Sequence, residues 1–289
     1  MAAPRPATRE ALARRIDRVL AHLGGALDGE LSLDRLAEVA SLSRFHFHRS
    51  YRALLGETVA ETVRRLRLTR AAGALVQGRR PIAEIARSAG YGSVAAFTRA
   101  FAAAYGQPPA AYRKAGRLVP PADPAPADPA RPYEVRLERQ PPLTLLGLPH
   151  RGPYIELGAA FERLFAWAGA RGLLRPDTRS VGLYWDDPAA VPARELRSAA
   201  CISLPDTAAT LAGPAGSERH ALPGGRMAVA RHQGPYGELE AAYDWLYRSW
   251  LPASGLEPAD HPCFEIYLND PRQVAPAALL TDVCLPLAG

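Results

Sequence analysis

Two sets of side chains have the types and spacing to do chemistry. The first centres on Glu265, in the run Phe264-Glu265-Ile266-Tyr267. Strand alternation places Cys263, Glu265, Tyr267 and Asn269 on one face and Phe264, Ile266 and Leu268 on the other. A carboxylate beside Tyr267, with Tyr154, Tyr184 and Trp185 as further candidates, has what is needed to hold a cation: a counter-charge and aromatic ring faces. The same Glu265 with Tyr184 or Tyr267 could instead open a strained or electrophilic ring by general acid/base hydrolysis. A third placement leaves Glu265 solvated on an exposed face. Trp167, Trp245 and Tyr243 have helical spacing and read as core. His150 and His232 fall at matching turns and read as turn-stabilising rather than catalytic.

The second set lies in Ser43-Arg44-Phe45-His46-Phe47-His48-Arg49. An N-cap serine followed by apolar residues four and eight positions on describes an amphipathic helix. With Phe47 and Tyr51 buried, Arg44, Phe45, His48 and Arg49 are expected to face outward. Arginine suits guanine O6 and N7, and Phe45 suits a thymine methyl, so this face could read DNA bases. A second helix, capped by Ser93, offers Val94, Ala95, Thr98 and Arg99. The first helix is expected to supply most of the direct readout, and the second apolar and phosphate contacts.

The elements that must position these side chains come in two duplications. Residues 32–56 and 80–106 superpose at an offset near 50, matching Ser43, Phe47, Arg49, Tyr51 and Gly56 with Ser93, Phe97, Arg99, Phe101 and Gly106. Each reading helix follows a shorter one, over 33–40 and 82–89, with small Ala37 and Ala86 at the crossing. Gly90 marks the second turn, whereas Ser41-Leu42 in the first has no glycine. The segment 58–76 reads as a linking helix. Two helix-turn-helix units in one chain fit major grooves roughly 34 Å apart.

Farther along, residues 150–164 repeat as 232–246 at an offset of 82, and 181–188 repeat as 264–271 at an offset of 83. Each copy has a strand before it, a Gly-Pro-Tyr turn, a helix, an extended segment, and a strand around Cys201 or Cys284. That makes two βαββ units related by a pseudo-two-fold, with a ligand cleft between them. The informative difference is Gly182 in one copy against Glu265 in the other.

Charge divides along the same line. Residues 1–117 hold 20 Lys+Arg and 9 Asp+Glu, while 118–289 hold 15 and 20, so the overall +6 combines a basic half and an acidic half. All the basic residues but Lys114 are arginine, suited to bidentate phosphate and base contacts, although a GC-rich coding genome would give the same excess. Between the halves, 118–132 is a proline-rich spacer, which places domains at 9–117 and 133–289. The 289 residues suffice for two cores. No apolar run reaches the roughly 18 residues of a membrane span. The odd number of cysteines without CxxC spacing argues against disulfides or zinc, and for a reducing cytoplasm. No metal site, nucleotide fingerprint or cofactor is expected.

Residues 9–115 resemble the DNA-binding domain of AraC/XylS-type regulators. The match is carried by 43–49, Pro81-Ile82-Ala83-Glu84-Ile85-Ala86, Gly90-Tyr91, Phe97-Thr98-Arg99-Ala100-Phe101, Gly106, Pro108-Pro109 and Tyr112-Arg113. Residues 133–288 resemble the GyrI-like effector-binding domain, through His232-x-Gly-Pro-Tyr236, Gly182-x-Tyr184, Asp187-Pro188, Glu265-x-Tyr267 and Asp270-Pro271. The order, DNA-binding domain first, resembles the Rob-like subset. The resemblance implies a seven-helix double helix-turn-helix domain, all-α, followed by an α+β domain of two βαββ repeats (GyrI-like, SHS2-type). It implies a transcription regulator that binds double-stranded DNA and senses a small molecule at Glu265; with the residues read above, the expectation is a non-enzyme whose lipophilic, aromatic or cationic effector meets Glu265, Tyr267, Tyr184, Trp185 and Tyr154. RNA polymerase is a further expected partner, the chain being monomeric or homodimeric and not membrane-bound. The alternatives are a hydrolase of cyclopropane-containing or electrophilic compounds, and a gyrase- or nucleoid-directed DNA protein.

Overall fold

The computed structural model describes residues 6–29, 31–78, 80–121, 132–205, 208 and 210–289. Most of the proline-rich spacer, 122–131, thus lies outside the described residues.

Among the described residues seven helices form the basic half: α1 (Pro6–Gly25), α2 (Leu33–Ala40), α3 (Arg44–Leu55), α4 (Val59–Val76), α5 (Ile82–Ser88), α6 (Val94–Tyr105) and α7 (Pro109–Ala115). The two reading helices begin and end as their sequences dictate. Ser43 Oγ accepts from the Phe45 amide and Ser93 Oγ from the Ala96 amide, while Gly56 and Gly106 close the helices in the left-handed conformation. Thr58 and Glu61 make a reciprocal capping box at the head of α4. Each unit has its own core. Ile16, Leu36, Phe47 and Tyr51 lie in the first, and Leu75, Ile85, Phe97 and Phe101 in the second.

The glycine missing from the first turn is replaced at a conformational cost. Ser41 adopts φ 52°, where Gly90 takes φ 83°, and a side chain in that region costs about 1 kcal/mol or more. Both turns nevertheless close the same way, through an amide returning to the alanine of the preceding helix: Leu42 to Ala37 and Tyr91 to Ala86.

The acidic half is one antiparallel sheet in the order β1-β6-β8-β7-β3-β4-β2-β5. Its strands are β1 (Val135–Gln140), β2 (Leu143–Arg151), β3 (Ser180–Tyr184), β4 (Arg197–Ser203), β5 (Glu218–Leu222), β6 (Gly225–Gln233), β7 (Phe264–Tyr267) and β8 (Leu280–Pro286). The expected βαββ repeats are β2-α8-β3-β4, with α8 at Gly158–Gly169, and β6-helix-β7-β8. The second helix runs as α9 (Glu240–Asp244), a π-helical stretch Trp245–Trp250, and α10 (Leu251–Ser254). β1 and β5 extend that pattern: β1 pairs with β6 of the second repeat and β5 with β2 of the first, a reciprocal exchange.

α8 covers Leu146, Leu148 and Ala200 on its half of the sheet. α9 and α10 cover Ala228, Val283 and Leu285 on the other. Among the described residues the opposite face carries no helix. The curled sheet closes there on its own apolar side chains, including Val181, Cys201, Phe264 and Cys284. Between α8 and α9 the helix-bearing face is left open above the central β3–β7 pair.

The turn geometry gives a direct test. Ser41→Gly should stabilise the chain by about 0.5–1 kcal/mol, and Gly90→Ala should destabilise it by about 1 kcal/mol or more. Thermal unfolding of the two variants reads both, and a neutral Ser41→Gly would show that Ser41 is unstrained.

Candidate functional site

Register brings the two divergent residues face to face. On the β3–β7 ladder Gly182 is the direct partner of Glu265, its own repeat equivalent. The pseudo-two-fold axis therefore passes through this pair. A Cβ at Gly182 would come within 2.7 Å of both the Tyr184 and Tyr267 phenols, so only one of the two positions has room for a side chain.

Glu265 is 4% exposed. Tyr243 donates to its Oε1 at 3.0 Å and Tyr267 to its Oε2 at 2.8 Å. The Tyr184 hydroxyl bonds in turn to that of Tyr267. Burial raises the Glu265 carboxyl above its ordinary range, opposed by hydrogen bonds from Tyr267, Tyr243 and Tyr184 and by the charge of Arg49.

Above the carboxylate opens a cavity of about 630 Å³. Six of its aromatic residues pair as repeat equivalents, Tyr154 with Tyr236, Phe161 with Tyr243 and Tyr184 with Tyr267, and Phe165 adds a seventh ring. Tyr154 stands edge-on to Tyr184, and Tyr236 edge-on to Tyr267. His150 and His232 each contact the carbonyl of the proline three residues on, Pro153 and Pro235, inside the Gly-Pro-Tyr turns that aim Tyr154 and Tyr236. The arrangement offers a desolvated carboxylate and several ring faces within one cleft, which is chemistry for an aromatic or cationic guest.

Of the ligand-site residues expected from sequence, Glu265, Tyr267, Tyr184 and Tyr154 meet at this cavity and Trp185 does not. It follows Tyr184 at the end of β3, so alternation turns it to the far side, where it packs on the second-face core beside His220. Tyr243, expected in the core, is a wall of the cavity and a donor to Glu265. Tyr236 and Phe161 were also absent from the expected set. Their equivalence to Tyr154 and Tyr243 is the signal that would have found them.

The largest correction concerns α3. His46 and Arg49 are buried in the structure, Arg49 to 9% exposure, so Arg49 does not face outward as its helix pattern predicts. Its guanidinium lies over the Tyr243 ring, 4.0 Å from the centroid, and lines the cavity. Three positions on, Arg52 pairs with Glu240 at 2.9 Å and Asp244 at 3.1 Å. His46 sits between the domains, with Nδ1 against the Tyr247 hydroxyl and Nε2 2.9 Å from the Ala259 carbonyl. That carbonyl requires Nε2 to carry the proton, and Nδ1 accepts from Tyr247. Burial drops the His46 pKa from 6.5 to about 4.

His48 is half-buried. Its pKa is lowered by burial, and its Nε2 has no partner among the described residues. Arg44 remains exposed, with its guanidinium over the half-buried Phe45 ring. On α6 the pattern holds: Val94, Ala95 and Arg99 are exposed and Thr98 is half-buried.

Among the described residues no His/Cys/Asp/Glu group could hold a metal ion, and no helix is long and apolar enough to cross a membrane.

Residues 133–288 match the GyrI-like small molecule binding domain, and 36–115 match a helix-turn-helix domain. A DNA gyrase inhibitor of Pectobacterium carotovorum subsp. carotovorum (strain PC1) is 34% identical over 137 residues, 47% of this chain and 87% of that protein. The probable transcriptional regulator YgiV of Escherichia coli (strain K12) is 32% identical over 153 residues, 51% of this chain and 92% of YgiV. Among solved structures, the EcmrR C-terminal domain aligns with a TM-score of 0.46 at 19% identity, over 54% of this chain and 98% of that one.

Two outcomes are expected from this geometry. Gly182→Ala should destabilise by about 1–3 kcal/mol and shift the tyrosine near-ultraviolet signal, because both phenols must move; an unchanged signal would place them elsewhere. The His46 ring, neutral in the fold, should show no NMR titration between pH 7 and 5. Since its folded pKa lies below its unfolded one, docking stability is lost as pH falls from about 6.5 toward 4. A midpoint near 6.5 would mean that the ring is in water.

Proposed function

The chain belongs to the GyrI-like small-molecule-binding family, with a helix-turn-helix domain ahead of the family domain, and on that premise we propose a one-component transcription regulator whose cleft takes a lipophilic aromatic cation. The observation that carries the ligand class is the buried Glu265 under three pairs of aromatic rings. A carboxylate so desolvated gains more from a fixed counter-charge than one in water does, and the rings add attraction for the same charge. The apolar majority of the wall favours a ligand with hydrocarbon bulk.

On the DNA side, the exposed face of α6 (Val94, Ala95, Thr98, Arg99) is the reading surface available in this conformation. Arg44, Phe45, His48 and Arg49 are the corresponding surface of α3, to be used once it is free. Arginines on these faces suit guanine edges and phosphates. The acidic cleft and the basic helices thus divide the work of sensing and binding.

Calorimetry on the full chain with benzyltriethylammonium and with its neutral carbon isostere tests the ligand class. Glu265→Gln should weaken the cation tenfold or more and the isostere less than threefold. Because ionised Glu265 is the partner, affinity for the cation should rise with pH through the raised carboxyl pKa and be flat in the variant. An equal loss for both compounds would remove the carboxylate as a charge partner.

A further inference from the structure

The cavity already holds a cation, and it belongs to the other domain. Arg49 of α3 reaches across the interface to lie on the ring of Tyr243, the same phenol that donates to Glu265. A guanidinium on a ring face within the field of a buried carboxylate is the arrangement proposed above for a cationic effector. We propose that Arg49 is a tethered occupant of the effector site, so that an incoming lipophilic cation displaces it and with it undocks α3, the first DNA-reading helix. This rests on the ligand class proposed above and gives that site its route to DNA.

Three observations support the exchange. First, the helix that carries Arg49 is the one held by the effector domain. Arg52 binds Glu240 and Asp244, and His46 is enclosed by Tyr247 and Ala259. Carboxylates on α9 thereby take the place that phosphates would take on this face in a DNA complex. Second, Arg99, the repeat equivalent of Arg49, is exposed on α6. The position is an ordinary reading position, and only the first copy is drawn into a pocket. Third, a guanidinium stays charged at any working pH. A cation that enters without displacing it would set two positive charges against one ring face, with Arg49 drawn by buried Asp187 as well as by Glu265. Displacement removes that repulsion, whereas a neutral guest can settle on the remaining rings with Arg49 in place.

The linkage has a definite sign. If ligand and docked α3 exclude each other, cation binding raises the population of free α3 and the affinity for duplex DNA. Bound DNA then raises cation affinity by the same factor.

Hydrogen exchange of the full chain, read by mass spectrometry over 44–55 and 240–254 with and without benzyltriethylammonium, tests this. The cation should speed exchange in 44–55 at least threefold, and its neutral isostere should leave that segment unchanged. Arg49→Met, which keeps the stem and removes the charge, should exchange fast in 44–55 without ligand, with no further increase on adding the cation. In parallel, saturating cation should tighten wild-type binding to a random 30-base-pair duplex at fixed salt and have no effect on Arg49→Met. Calorimetric binding of the cation with exchange in 44–55 unchanged or slowed overturns the displacement and leaves the ligand class standing. Absence of any cation binding to wild type overturns the ligand class and the displacement together. Fast exchange in Arg49→Met that the cation still increases would assign undocking to some other contact.

Discussion

At the centre of the sheet, a residue meets its own repeat equivalent across an antiparallel ladder, and there is space for one side chain. Gly182 and Glu265 occupy that pair, and a Cβ on the glycine would collide with two phenols. A perfect repeat would put two carboxylates there, which like-charge repulsion and burial both oppose, or two glycines, which would leave the cleft uncharged. Divergence at this point lets a symmetric scaffold hold a single charge. The surrounding aromatic pairs stay symmetric because they lie off the axis, where both copies have room.

A buried carboxylate is costly unless its lone pairs and charge are met. Tyr243 and Tyr267 meet the lone pairs, and Arg49 from α3 supplies a positive charge. The sensing domain is thereby completed by a residue of the DNA-binding domain. The partition into a basic and an acidic half has a second meaning here: besides suiting DNA and ligand separately, the halves attract one another. Glu240 and Asp244 hold Arg52, and Glu257 holds Arg15 at 2.8 Å.

Much of this was legible in the sequence. Serine caps, closing glycines and apolar spacing located α2 to α6 to within a residue or so, since these signals act within a turn of the chain. The second duplication located three strands in each repeat and singled out Glu265. What was not legible depended on contacts far apart in sequence. β1 and β5 are edge strands exchanged between repeats, a pairing that no local pattern encodes. Trp185 was misplaced because its aromatic type outweighed its strand parity. Arg49 reads as a base contact on α3 because helical periodicity reports which face is apolar and cannot tell which polar face another domain will cover. Tyr243 was assigned to the core for a related reason, its ring being buried and its hydroxyl facing the cavity.

The docked state combines buried contacts, those of His46, Arg49 and Asp187, with more exposed ones. Arg52 pairs with carboxylates that are 55% and 34% exposed, and such pairs contribute about 0–1 kcal/mol each. His46 must stay neutral to remain enclosed, so that contact is forfeited as it protonates. A guest able to reverse a strongly biased equilibrium needs about 10⁴-fold discrimination between two states, and a less biased equilibrium needs proportionally less. The second copy leaves Arg99 exposed, so on the proposed exchange α6 stays open to DNA while α3 is withheld. On the proposed exchange, α6 stays available and the pocket decides whether α3 joins it.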